Sequence, residues 1–277
     1  MNRHKLLDVG GTFIKCEDGR QVPINSAGTR EEISRSLQEA VGDCKPGDSI
    51  AIATPGPFDY NNGVFLMKHK FASVYGESFV ALAGIPEGVE VRYIHDAACM
   101  LLGEITYGAG KGYENVTLVT LGTGLGFTMT QNREIQLNAV GSPSIAIYNR
   151  PYRDGMLEDY VSARGLLRCY AEVAAETPGE HPHPGSALEV GLLAGDGNAV
   201  ALAAFRKMAQ ILADSIKDLM ETFHIECLLF GGQVSKSFRF MEETLRENLT
   251  GLKQISVISD FSNATFNGLK ALLEEKA

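Results

Sequence analysis

The stretch Lys5-Leu6-Leu7-Asp8-Val9-Gly10-Gly11-Thr12-Phe13-Ile14-Lys15-Cys16-Glu17-Asp18-Gly19 decides how the rest of the chain is read. Residues 5–9 form a short apolar run that stops at a glycine pair. Residues 12–17 resume it before Asp18-Gly19. These signals read as a strand, a tight glycine turn and a second strand. Glycines let backbone N–H groups approach an anion, and the Thr12 hydroxyl adds a donor. Asp8, at the strand end, is either a turn-capping carboxylate or a group that holds magnesium through water beside a phosphate loop.

Outward from this stretch, strand and helix signals alternate. Residues 29–41 read as a helix with Ile33, Leu37 and Val41 at four-residue spacing. Residues 49–53 read as a strand stopped by Thr54-Pro55-Gly56-Pro57, and 89–94 as a strand handing over to a helix at 96–105. A second round follows: strand 116–121, turn Gly122-Thr123-Gly124, strand 126–130, and a mainly helical 157–175. After a loop over 176–185 come a long helix at 198–223 and a strand at 225–230 that runs into Gly231-Gly232. A helix at 237–249, a strand at 255–258 and a closing helix at 264–275 complete the pattern. Residues 7–15 and 120–130 are a weak internal repeat, which predicts two related α/β lobes. The expected division is 1–107 plus the C-terminal 260–277 against 108–259.

The 277 residues include 34 acidic and 25 basic side chains, a formal charge of −9, which argues against nonspecific nucleic-acid binding. No apolar run approaches the ~20 residues that span a membrane, and the N-terminal apolar stretch is too short for a secretory signal. Cys16, Cys44, Cys99, Cys169 and Cys227 lie far apart, which reads as reduced thiols in a cytoplasmic protein. Glycine is in excess, 30 residues or about 11% against a usual ~7%, without a collagen repeat.

Leu121-Gly122-Thr123-Gly124-Leu125-Gly126 is a second anion-cradle candidate. It is not the dinucleotide fingerprint, because a strand and not a helix follows it. Phe230-Gly231-Gly232 is a third strand-end glycine pair, where a base or ribose can lie against backbone. His95-Asp96-Ala97-Ala98 sits where a strand meets a helix. Asp96 is there either a helix cap or a general base that takes a proton from an attacking hydroxyl.

The segments Asp8-Val9-Gly10-Gly11-Thr12, Ala53-Thr54-Pro55-Gly56-Pro57, His95-Asp96-Ala97-Ala98, Leu121-Gly122-Thr123-Gly124-Leu125-Gly126, Leu157-Glu158 and Phe230-Gly231-Gly232 together resemble the ROK sugar kinases in order and spacing. The resemblance covers almost the whole chain. It implies an α/β, two-lobed hexokinase–actin-type (ribonuclease H-like) fold with a nucleotide/sugar cleft between the lobes. It also implies ATP and Mg2+ as cofactors, a sugar substrate and a homodimer. By the same resemblance Asp96 is the catalytic base, Asp8 positions magnesium, and Gly10, Gly11, Thr12, Gly122, Thr123 and Gly124 hold phosphates. Gly231 and Gly232 lie by the adenosine, and Pro55, Gly56, His95, Asp96 and Glu158 face the sugar. Lys15 is left as a surface charge.

The departures from the family cluster on the sugar side. His95 and Ala98 stand where asparagines are usual. Ala139 and Ser142, in Asn138-Ala139-Val140-Gly141-Ser142, stand where the family has Glu and His. The family's cysteine-rich zinc loop is replaced by Tyr148-Asn149-Arg150-Pro151-Tyr152-Arg153-Asp154, which offers no thiolate or imidazole, so no zinc site is expected. Arg150 and Arg153 read as solvated charges, with recognition of an acidic sugar as the other reading. His181 and His183, between prolines, read as a plain exposed loop. ROK-like repressors carry a helix-turn-helix domain before the first phosphate loop, for which the seven residues before Asp8 leave no room. The alternative to a kinase is a catalytically weak sugar- or nucleotide-binding or regulatory protein.

Overall fold

In a computed structural model, which describes residues 3–274, the chain divides into two compact units. The last residues of the predicted closing segment, 275–277, lie outside the described residues. The first unit comprises Met1–Gly108, Ile135–Ser144 and Ser262–Ala277; the second comprises Ala109–Glu134 and Ile145–Phe261. Residues 135–144 therefore group with the first unit, whereas the division expected from sequence puts them in the second lobe. Hydrogen bonds account for this: Tyr60 N–H donates to the Val140 carbonyl at 2.9 Å, and the Asn61 amide to the Ala139 carbonyl at 2.8 Å.

In the first unit, β1 (His4–Val9) and β2 (Phe13–Cys16) form the expected hairpin, flanked by β3 (Gln21–Pro23). β4 (Ser49–Thr54) follows, then a small hairpin of β5 (Phe58–Asp59) and β6 (Val64–Phe65), and then β7 (Glu90–His95). The main sheet runs β3-β2-β1-β4-β7, with β1, β4 and β7 parallel. Both of its faces are covered, as parallel strands require. Ile50 and Ile52 pack with Ile33 and Leu37 of α1 (Arg30–Val41). A capping box starts that helix: Glu32 N–H donates to Thr29 Oγ1 and Thr29 N–H to Glu32 Oε2. Such caps are worth about 1 kcal/mol. A short helix, α2 (Phe79–Ala83), follows. On the other face, Ala51 and Ala53 leave room for α3 (Asp96–Tyr107) and the closing helix α8 (Ala264–Glu274). These two helices touch backbone to backbone. A Cβ on Gly103 would lie 2.8 Å from the Gly268 nitrogen, and one on Gly268 would strike the Cys99 carbonyl.

In the second unit, β8 (Val116–Leu121) and β9 (Leu125–Gln131) form a hairpin like β1–β2, edged by β10 (Glu134–Ile135). A tight hairpin of β11 (Pro151–Tyr152) and β12 (Gly155–Met156) stands apart from the main sheet. β13 (Cys227–Gly231) lies parallel to β8 and to β14 (Gln254–Val257), giving the order β10-β9-β8-β13-β14. α4 (Ala163–Glu176), α5 (Ala187–Gly195), α6 (Ala199–Thr222) and α7 (Glu242–Asn248) accompany it. α6 buries Phe205, Met208, Leu212 and Ile216 on one face, at about 1.5–3 kcal/mol per large side chain.

The short strands β3, β5, β10, β11 and β12 are not marked in the sequence reading, and two helical stretches differ from it. α5 has no counterpart in the sequence pattern, because only Val190 and Ala194 of its nine residues are buried and no long apolar stripe announces it. The helix read over 237–249 is broken into a 3-10 segment, Val234–Phe240, and α7. Phe238 packs on Phe230 and Phe240 on Phe205, with ring centroids 5.3 and 5.4 Å apart. Residues two apart cannot both face inward from one α-helical stripe, so the turn tightens. No single helix among the described residues is long and apolar enough to cross a membrane.

Candidate functional site

The register of the first sheet brings the predicted residues of that unit to one edge. Asp8 is level with Ala53, Ala53 with Ile94, and Thr54 with His95. The carboxyl ends of three parallel strands therefore deliver Asp8 with Gly10, Gly11 and Thr12, then Pro55 and Gly56, then His95 and Asp96. This is where ligands bind in open α/β sheets. Asp96 is the first residue of α3, and His95 caps that helix. The cap and general-base readings of this junction are thus compatible, since His95 and Asp96 share the one capped donor, Ala97 N–H, and the second Asp96 oxygen is not needed for the cap.

The charges at this edge act on one another. His95 Nδ1 lies 3.0 Å from Asp96 Oδ1, and both atoms lie within reach of Ala97 N–H, at 3.2 and 2.7 Å. The His95 contacts are mutually exclusive: a protonated Nδ1 donates to the carboxylate, and an unprotonated one accepts from Ala97. Burial raises the Asp96 pKa, but the His95 charge and hydrogen bond, the Ala97 N–H and Lys70 outweigh it, leaving the carboxyl below its ordinary 3.8. Asp8 is shifted the other way, by burial first and by Asp96 as well, against the pull of Lys15. Lys15 Nζ stands 3.5 Å from Asp8 Oδ2, so this lysine is a partner of Asp8 and not a detached surface charge. The Asp8 side chain remains 20% exposed, and its hard oxygens suit a magnesium ion held through water.

Residues the sequence did not single out complete this edge. Tyr60 is buried, its hydroxyl donates to the Thr54 carbonyl at 2.9 Å, and its ring meets His95 edge-on at 5.8 Å. Burial and the nearby Asp96 push its pKa upward, keeping the phenol neutral. A Cβ on Gly56 would lie 3.5 Å from both the His95 ring and the Tyr60 hydroxyl. Gly141, at φ +80, packs on Tyr60, and the Asn61 amide reaches the Ala139 carbonyl. No local signal marks Tyr60, because its role depends on segments some 35–80 positions away meeting in space.

In the second unit, Gly122, Thr123 and Gly124 form the turn between β8 and β9, with Gly122 N–H donating to the Gly124 carbonyl at 3.0 Å. Glu158 joins this turn: its Oε2 accepts from Leu125 N–H at 2.9 Å and its Oε1 pairs with Arg164 at 2.9 Å. Gly231 is level with Thr120 of β8, and Gly232, at φ +85, is pressed against the Leu121 backbone.

The glycines differ in the room that a side chain would find. A Cβ would meet the Phe13 carbonyl from Gly10, Ser26 Oγ from Gly11, Glu158 from Gly124 and Leu121 from Gly232. Gly122 has no such reason: a Cβ there meets nothing within 4 Å, and its φ is ordinary. An open position in a turn that needs no glycine fits a surface shaped for the close approach of an anion.

The segment at the place of the family's zinc loop is held by rings and ion pairs. Tyr152 and Tyr160 meet edge-on at 4.8 Å, and the Arg168 guanidinium lies 4.0 Å over Tyr160. Asp154 bonds to the Tyr160 hydroxyl and to Arg168, which hold its pKa down to about 2. Arg153 pairs with Glu172, and Arg150 with Asp218 and the Ser215 carbonyl. His181 Nε2 contacts the Thr177 carbonyl.

Comparison with known proteins agrees with this geometry. A model of the ROK family matches residues 7–145 and 151–271. The chain belongs to the ROK family. Among its ROK relatives, the glucokinase of Thermotoga maritima is 24% identical over 281 aligned positions, covering 90% of this chain and 88% of the relative. The N-acetylmannosamine kinase of Yersinia pseudotuberculosis is 23% identical, covering 93% and 92%. Of the solved structures, a glucokinase from Parabacteroides distasonis superposes with a TM-score of 0.78 at 19% identity, covering 99% of this chain and 98% of the other. The ROK glucokinase of Streptomyces griseus, in complex with glucose and AMPPNP, gives 0.73 at 23% identity, covering 96% and 97%. The fold is the hexokinase–actin-type α/β fold of ROK sugar kinases.

Proposed function

We propose that this ROK protein is an ATP-dependent sugar kinase that phosphorylates a hydroxyl of a hexose or hexose derivative. The observation that carries this reading is Asp96, a carboxylate held ionised at the same sheet edge as Asp8 and the glycine turn. The ROK relatives named as glucokinases and N-acetylmannosamine kinases support it.

In this reading Asp96 accepts the proton of the attacking hydroxyl, which makes the oxygen nucleophilic toward phosphorus. His95 orients that carboxylate and, with Pro55, Gly56, Tyr60 and Glu158, contributes to sugar recognition. The two glycine turns, Gly10–Thr12 and Gly122–Gly124, bind phosphate oxygens with the Thr12 and Thr123 hydroxyls and with the backbone N–H groups that do not close the turns themselves, as those of Gly10 and Gly122 do. Gly231 and Gly232 offer flat backbone to the adenosine. Asp8 would hold Mg2+ through water, and the ion, when bound, supplies positive charge to the phosphates. The separated cysteines suit a reducing, cytoplasmic setting.

A coupled ADP-release assay across hexoses, N-acetylhexosamines and acidic sugars tests the reading. Turnover that depends on one of these sugars is the expected result. Sugar or nucleotide binding without turnover would replace the kinase with a binding protein.

A further inference from the structure

Lys70 lies in Lys68-His69-Lys70, a charged connection to which the reaction above gives no part. Its stem runs along the first phosphate turn: Cδ is 3.8 Å from the place a Cβ on Gly11 would take. The next residue fixes it there. Phe71 is fully buried, with its ring 5.3 Å from that of Phe65. Its N–H donates to the Ser26 carbonyl at 2.6 Å, and Ser26 N–H donates to the Gly11 carbonyl at 3.1 Å. Phe71 holds the left-handed conformation, φ 54 and ψ 26, which is unfavourable for an ordinary residue and is maintained here by burial and these bonds. The backbone chain Phe71–Ser26–Gly11 therefore ties the lysine to the glycine turn.

The other charges of this edge are engaged with each other, Asp8 with Lys15 and Asp96 with His95. Lys70 is exposed and forms no ion pair among the described residues, while its charge is felt at Asp96. An ammonium that has no carboxylate partner, beside a turn of backbone N–H groups and within electrostatic reach of a base, suits an incoming anion. Lys68 points elsewhere, its ammonium 5.3 Å from the centroid of the Tyr75 ring.

We propose that Lys70 is a phosphate ligand of this site, its ammonium binding nonbridging oxygens of the phosphoryl group in transfer. The proposal rests on the kinase reading. In the step it assists, the sugar oxygen forms a bond to the γ-phosphorus and its proton passes to Asp96. The bridging P–O bond breaks, and its electron pair leaves with ADP. Lys70 remains protonated throughout and offsets the negative charge on the equatorial oxygens.

The test uses the full chain with Lys70→Met and Lys70→Arg, and with Lys68→Met as the neighbouring control. Binding of inorganic tripolyphosphate and of AMPPNP is measured by calorimetry, independently of turnover. Lys70→Met is expected to weaken tripolyphosphate roughly tenfold, Lys70→Arg to recover most of this, and Lys68→Met to stay within about twofold. If a sugar is turned over, Lys70→Met should lower kcat by roughly 10²-fold with the sugar KM nearly unchanged. Unchanged tripolyphosphate binding in Lys70→Met overturns the proposal. So does a loss confined to the KM of acidic sugars, which would make Lys70 an acceptor-side ligand. If wild type binds tripolyphosphate yet phosphorylates no sugar, the kinase reading fails, and the binding comparison still decides the role of Lys70. Wild-type protein that binds neither probe overturns both.

Discussion

His95 Nδ1 and Asp96 Oδ1 lie 3.0 Å apart, and the pair caps α3 through a single backbone donor, Ala97 N–H. The residue proposed as general base is thus built into a helix start, so its position is set by backbone geometry. Replacing Asp96 by Asn keeps that shape and removes the proton acceptor. Turnover should fall by about 10²–10⁴-fold. Calorimetry should find AMPPNP affinity within a few-fold of wild type, and retained turnover would mean another group takes the proton.

The same pair sets a pH dependence. Asp96 titrates below 3.8, so its ionised form contributes stability above the unfolded pKa, and that contribution is lost as pH falls through the folded one. With 45% of the side chain exposed, solvent screening keeps the stability effect small. His95→Ala removes two influences that lower the pKa, so the Asp96 titration should move upward. Carbon-13 NMR of labelled aspartate carboxyls reads this directly. An unmoved titration would leave Ala97 and Lys70 as the groups that hold it down.

Glu158 touches the Gly122–Leu125 turn of its own unit through Leu125 N–H. Glu158→Ala leaves that N–H without its acceptor, at a cost of about 1–3 kcal/mol, whereas Glu158→Gln can still accept. A bracing role predicts that Glu158→Ala weakens AMPPNP as well as sugar, with Glu158→Gln milder on the nucleotide. A role in sugar binding alone would move only the sugar KM in both variants.

Gly122 and Gly268 should respond in opposite ways to the same added methyl group. Gly122→Ala meets open space, so its denaturation midpoint should match wild type within about 0.5 kcal/mol of stability, while AMPPNP affinity drops. Gly268→Ala drives a methyl into the Cys99 carbonyl at the contact between α3 and α8, and should cost at least ~1–3 kcal/mol. Urea denaturation separates the two. Intact AMPPNP binding by Gly122→Ala would return that glycine to a plain turn.

The ring and ion-pair cluster around Tyr160 predicts a segment that does not need metal. Incubation with a chelator should leave the thermal midpoint unchanged, whereas Arg168→Ala should lower it by a few degrees. The Asp154 contribution, tied to Tyr160 and Arg168, should be present above pH 3.8 and lost as pH falls through about 2. Stoichiometric zinc in the purified protein would contradict this account.

Neighbouring residues alone are enough to specify the two strand–glycine–strand hairpins, the parallel strands that follow them, and Asp96 at a strand–helix junction. Glycine pairs, period-two alternation and helix starts are written in neighbouring residues, and local sterics act on neighbours. Other features arise only when distant segments pack. Tyr60 at His95, residues 135–144 in the first unit, Lys15 on Asp8 and Lys70 along Gly11 depend on strand register and on the burial of Phe71. The break before α7 follows from where Phe205 and Phe230 lie. The glycines show the division most clearly. Their sequence marks them all as turns, but only the packed molecule shows that Gly10, Gly11, Gly124 and Gly232 are hemmed in by their own fold, while Gly122 faces open space.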